Sequence, residues 1–117
     1  MTTWMQDFDA KYTVKDIKLY LDDVRNAPEG WHRVLTIHEL KQWCRSYWDA
    51  ITSISLDHDL GYTQDTGYDF LVWLEEFLHF NVRYSLTFPI MVHSANPSGA
   101  AKMRLAIKRL VDKHGIS

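Results

Sequence analysis

Cysteine is nearly absent: Cys44 is the single one in 117 residues. No internal disulfide can form, and the missing Cys-x-x-Cys pairs remove most support for a zinc ribbon. Cys44 falls inside a helical pattern and reads as a small core residue, in keeping with a reducing, intracellular setting. No apolar run approaches the roughly 20 residues of a membrane span, and no signal-peptide pattern opens the chain. The expected location is therefore cytoplasmic, with no membrane partner. A dominant charge is missing too. Lys and Arg number 13 against 15 Asp and Glu, for a formal net charge of −2, which gives no global pull toward nucleic acid. Repeats, linkers and low-complexity tracts are absent. So are Gly-x-x-x-x-Gly-Lys, Gly-x-Ser-x-Gly and His-Glu-x-x-His, which argues against nucleotide triphosphatase, serine hydrolase and zincin chemistry.

What is present is one domain's worth of chain, 46% hydrophobic and 14% aromatic with five Trp, enough for a bulky core. The charge is unevenly spread. Residues 97–117 carry about +4 and the preceding residues about −6. A basic last helix could clamp a polyanion. It reads equally as a solvated face with cations near a helix C-terminus.

The informative residues stand at the ends of apolar runs. They are Asp22 and Asp23 after Leu19-Tyr-Leu21, Asp57-His58-Asp59 after Ile54-Ser-Leu56, and His93-Ser-Ala-Asn96 after Ile90-Met-Val92. Each run reads as a buried strand. In open α/β sheets, ligands bind outside the carboxyl ends of the strands, so parallel neighbours would bring these groups to one crevice. Adjacent carboxylates repel unless a cation or an Arg neutralises them. A divalent metal held by Asp22, Asp23 and Asp57 fits this pattern, and a solvated turn paired with Arg25 is the plainer reading. Asp57 and Asp59 share a direction if the strand stays extended. His58 and His93 titrate near neutral pH and suit proton transfer. Ser94 suits a phosphoryl oxygen and Asn96 a helix cap, and the helix N-terminus behind Pro97 offers amides to an anion.

Periodicity fills in the frame. Strands are expected at 17–22, 31–35, 52–57 and 86–92. Thr36-x-x-Glu39 has the capping-box spacing and opens a helix over 37–49 with Leu40, Trp43, Cys44 and Tyr47 on one face. Thr66-x-x-Asp69 opens a second helix. Asn96-Pro97 opens a third, with Gly115 as its stop. Residues 1–16 read as an N-terminal extension and 17–117 as the domain. Strands alternating with helices predict α/β architecture: a compact three-layer fold with a mostly parallel sheet of about four strands flanked by helices.

The acidic pair, the later Asp57 and Ser94-Ala95 resemble a response-regulator receiver domain of flavodoxin-like fold. Two departures stand out. Residues 25–31, with Pro28 and Gly30, are too short for the helix a receiver carries between its first two strands, and no further strand brings the receiver's lysine. Four ordered motifs resemble something narrower, the cyclic-phosphate-processing receiver-like family: Leu-Asp-Asp-x-Arg-x-x-Pro at 21–28, Ser-Leu-Asp-His-Asp-Leu-Gly at 55–61, Thr-Gly-Tyr-Asp at 66–69 and His-Ser-Ala-Asn-Pro-x-Gly at 93–99.

This resemblance spans roughly 17–104. It implies opening of cyclic phosphates on RNA or tRNA ends or on nucleotides, in RNA repair or bacteriophage settings. It implies Mg²⁺ or Mn²⁺ on Asp22, Asp23 and Asp57. His58 and His93 would act with Asp57 as catalytic groups, and Arg25, Asp59, Ser94 and Asn96 would bind substrate. Val24 stands where the family commonly has an acid. Two other functions fit the same residues: a nucleotide- or tRNA-binding protein without turnover, and a degenerate phosphoacceptor with Asp57 as the acceptor.

Overall fold

The structure, a computed structural model, describes residues 16–60 and 66–115. The expected N-terminal extension therefore lies outside the described residues apart from Asp16, which accepts a hydrogen bond from Thr52 Oγ1 at 3.0 Å. Four strands, β1 (Ile17–Leu21), β2 (His32–Val34), β3 (Ile51–Leu56) and β4 (Ile90–Val92), form one sheet in the order β2-β1-β3-β4. Every pairing is parallel. Among the described residues three helices flank it, α1 (Ile37–Tyr47), α2 (Gly67–Phe80) and α3 (Pro97–His114). This is the α/β, receiver-like architecture the alternation of elements predicts. No helix among the described residues is long and apolar enough to cross a membrane.

The strand register divides the sheet chemically. Leu19 pairs with Ile54 and Ile54 with Ile90, while Leu21, Leu56 and Val92 form the next row. With Trp43, Phe70, Leu74, Met103 and Leu110 from the helices, they make the core. The alternating row is Tyr20, Ser55 and Met91, a more polar set whose Met91 is exposed. Because side chains alternate along a strand, the residues that follow Leu21, Leu56 and Val92 fall on this second face. Those residues are Asp22, Asp57 and His93.

Between β1 and β2 the described chain has no helix. The Trp31 amide closes a turn on the Pro28 carbonyl at 3.0 Å, and Gly30 takes φ 87°, which favours glycine. Helix starts follow the predicted caps. Thr36 accepts from the Glu39 amide, although Glu39 reaches back to the Leu35 amide rather than to Thr36. Thr66 and Asp69 form the complete reciprocal box. Asn96 accepts from the Gly99 amide, with Pro97 in the first turn.

Two boundaries differ from the sequence reading by more than one residue. The helix expected to 49 ends at Tyr47, and a 3-10 turn over Trp48–Ala50 follows. That turn lets Trp48 go inward, where its indole N–H donates to the Ser85 carbonyl at 3.1 Å. The strand expected over 86–92 pairs only at Ile90–Val92. Pro89 has no N–H to give the ladder and only accepts, from Ile54 at 3.2 Å. Leu86 instead makes an isolated parallel bridge with Gly115.

Candidate functional site

The sheet's hydrogen-bond ladder runs one residue beyond each strand and so builds the site. Asp22 N–H donates to Val34 O at 3.1 Å, Asp57 N–H to Leu21 O at 3.1 Å, and His93 N–H to Leu56 O at 3.0 Å. Three residues far apart in sequence are thereby fixed side by side at the carboxyl edge. Each offers one ligand atom, and these atoms all lie within 4.8 Å of one another. Asp23, expected among the metal ligands, is outside this set. His93, expected to transfer protons, is inside it.

Asp22 is the anchor, 1% exposed. Its Oδ1 accepts from the Val24 and Arg25 amides at 2.9 and 2.8 Å. Val24 thus contributes its backbone in a position where its side chain could ligate nothing. The other oxygen, Oδ2, lies 3.3 Å from His93 Nε2. Both atoms are buried, and neither is aligned with a hydrogen-bond partner. The opposite edge of the imidazole meets Ser55, with Oγ 2.7 Å from Nδ1. The Tyr20 ring stacks on its face at 3.9 Å and 7°.

The charges are unbalanced. Burial, then the Asp22 carboxylate, push the Asp57 carboxyl above its ordinary range, against the pull of His93 and of the His58 and Asp59 amides. Burial also holds the His93 imidazole below its ordinary value, although Asp22 and Asp57 both favour its protonated form. Both shifts run toward the neutral form of the group, because burial penalises charge there. A divalent cation would engage Asp22 Oδ2 and His93 Nε2, which lack an aligned hydrogen bond, and offset the repulsion between Asp22 and Asp57. Two carboxylates plus an imidazole suit Mn²⁺, which takes both oxygen and nitrogen donors, better than Mg²⁺.

A second cluster adjoins the first. The ladder stops at Asp57, so the extension that would give Asp57 and Asp59 a common direction is not kept. The chain bends at His58, and Asp59 makes an isolated antiparallel bridge with Thr66. His58 Nδ1 lies 2.8 Å from Asp59 Oδ1. Asn96 Nδ2 reaches Asp59 Oδ2 at 3.4 Å while its Oδ1 caps α3. The His58 hydrogen bond keeps the Asp59 carboxyl below the usual range. The His58 ring lies directly against Gly99, where an added Cβ would come within 2.5 Å of the ring. Gly67 is equally constrained, since a Cβ there would collide with the Asp57 carbonyl.

Arg25 links two strand ends. Its Nη1 donates to the His93 carbonyl at 3.0 Å, which carries the side chain from the β1 end across to the β4 end. Ser94 Oγ accepts from the Asn96 amide at 3.1 Å. Ser55 and Tyr20 were not singled out by sequence. The signal was weak, since Ser55 shares β3 with Thr52 and Ser53 and Tyr20 shares β1 with Lys18, and its meaning depends on the register. Cys44 is buried, and burial pushes its thiol far up, so it is inert.

The family model described as "Cyclic-phosphate processing Receiver domain" matches residues 17–109. No curated protein and no solved structure matches the chain.

Proposed function

The chain belongs to the cyclic-phosphate processing receiver domain family, and we propose that it is a metal-dependent phosphoesterase that opens cyclic phosphates on nucleotides or on RNA ends, tRNA included. The observation that carries this reading is the Asp22–Asp57–His93 set, whose ligand atoms all lie within 4.8 Å of one another, with Asp22 Oδ2 and His93 Nε2 buried and facing each other without an aligned hydrogen bond. These three residues would hold Mn²⁺ or Mg²⁺. When bound, the ion would polarise the phosphoryl oxygens and offset the charge that builds on them.

The remaining groups divide the work. His58 is free for proton transfer because Asp59 engages its Nδ1 and leaves Nε2 available. Asp59 stays ionised and is itself held by Asn96. The guanidinium N–H groups of Arg25 beyond its bond to His93, and the Ser94 hydroxyl, suit the non-bridging phosphate oxygens. Water adds to phosphorus, one P–O ester bond breaks, and the freed ribose oxygen takes a proton. The product is a phosphomonoester.

The test is ³¹P NMR of 2′,3′-cyclic nucleotides and of RNA with a 2′,3′-cyclic end, with purified protein and Mn²⁺ or Mg²⁺. The expected result is conversion of the cyclic signal to a monoester. EDTA and Asp57→Asn should abolish it, and His58→Gln should slow it about 10²–10⁴-fold. No conversion of either substrate with either metal would overturn the proposal. A ligand bound but unchanged would then indicate a binding protein. A stable beryllofluoride adduct at Asp57 would indicate a phosphoacceptor.

A further inference from the structure

Ser55 takes no part in the chemistry just proposed, yet its hydroxyl touches the most constrained ring in the site. It is 6% exposed, and its Oγ lies 2.7 Å from His93 Nδ1. Its registered neighbour on β1 is Tyr20, the residue stacked on the same imidazole. The ring is thus held on one edge by Ser55 and on one face by Tyr20, and both holders come from the two central strands of the sheet.

A neutral imidazole has one N–H and one lone pair, and the partner of one nitrogen decides the state of the other. If Nε2 carried the proton, Asp22 Oδ2 would be its natural acceptor. Those atoms are 3.3 Å apart without hydrogen-bond alignment. The short contact on the opposite edge is where the proton fits, with Nδ1–H donating to Ser55 Oγ. Nε2 then presents its lone pair to the space shared with Asp22 and Asp57.

We infer that Ser55 is a positioning residue that fixes His93 in the Nδ1–H tautomer and turns Nε2 toward a metal ion shared with Asp22 and Asp57. Residues that accept the second N–H of a ligating histidine orient the ring and raise its basicity. This inference rests on the metal reading of the site, but its tautomer component can be observed without metal.

The experiment uses the full chain as wild type, Ser55→Ala and Ser55→Thr. Long-range ¹H–¹⁵N correlation spectra of the metal-free protein report the tautomer of His93. Calorimetric titration with Mn²⁺ reports affinity, and thermal unfolding reports folding. In the wild type the proton should be on Nδ1. Ser55→Ala should mix the tautomers and weaken Mn²⁺ binding about 10–100-fold, while leaving the His58 signals in place. Ser55→Thr keeps the hydroxyl and should preserve the tautomer. A wild-type proton on Nε2, or a Ser55→Ala affinity equal to wild type, would overturn the inference. A wild type that binds no Mn²⁺ but shows the Nδ1–H tautomer, lost in Ser55→Ala, would sink the metal reading and the ligand role while leaving Ser55 as the residue that sets the ring.

Discussion

Burial penalises the charged forms of both Asp57 and His93, and each makes the metal-free protein respond to pH in its own direction. Removing the Asp57 charge relieves its repulsion with Asp22. Asp57→Asn should therefore stabilise the metal-free protein, by about half a kcal/mol after solvent screening. The expected rise in melting temperature is about 2–4 °C; a fall would contradict it. For His93 the folded-state value is depressed below the unfolded one of about 6.5. As pH falls through 6.5 the unfolded chain binds a proton first, so stability is lost from there down through the folded value. Asp57 has a raised folded value and gains stability as pH falls. Burial also lowers His32, which adds to the loss from His93. Stability to urea of the metal-free protein should thus fall more steeply in wild type than in His93→Gln as pH drops below about 6.5. Parallel curves would show that His93 is not held neutral by the fold.

At the scale of elements, the caps aim the site. The Thr66–Asp69 box starts α2 at Gly67, whose missing Cβ lets the helix meet the Asp57 backbone. Thr66→Ala should cost about 0.5–2 kcal/mol, read by urea unfolding. Gly67→Ala should cost about 1–3 kcal/mol, since backbone rather than a pliant side chain is in the way. Gly99→Ala is different in kind, because its new methyl would meet the His58 ring. That ring can move, so the expected outcome is a folded protein whose His58 NMR signals shift and whose turnover falls. Helix starts were legible in the sequence because capping depends on spacing within four residues. Element ends were less so: the close of α1 depends on where Trp48 finds an acceptor, and the length of β4 on the missing N–H of Pro89.

At the scale of the whole molecule, the sheet order converts three sequence motifs into one site. Each strand end announced a chemical group, and the fold class followed from the alternation of strands and helices. Register did not. A one-residue slip would send Asp57 or His93 to the other face, and nothing local to either residue fixes that. This is why Ser55 and Tyr20 escaped notice, and why the approach of His93 to Asp22 and Asp57 was not legible. The basic last helix is also partly engaged within the protein: Lys108 pairs with Asp112 at 3.1 Å, and Lys102 lies 4.1 Å over the Tyr68 ring. Its charge alone therefore does not define an RNA-binding surface. A ligand that binds only the folded state also stabilises it, so Mn²⁺ should raise the melting temperature of wild type and not of Asp57→Asn. The most direct test of the site is calorimetric titration of Mn²⁺ into wild type, Asp22→Asn, Asp57→Asn, His93→Gln and Asp23→Asn. One site is expected in wild type, weakened at least about tenfold in the first three variants and retained in Asp23→Asn. Equal binding by wild type and Asp57→Asn would contradict a metal centre built on Asp22, Asp57 and His93.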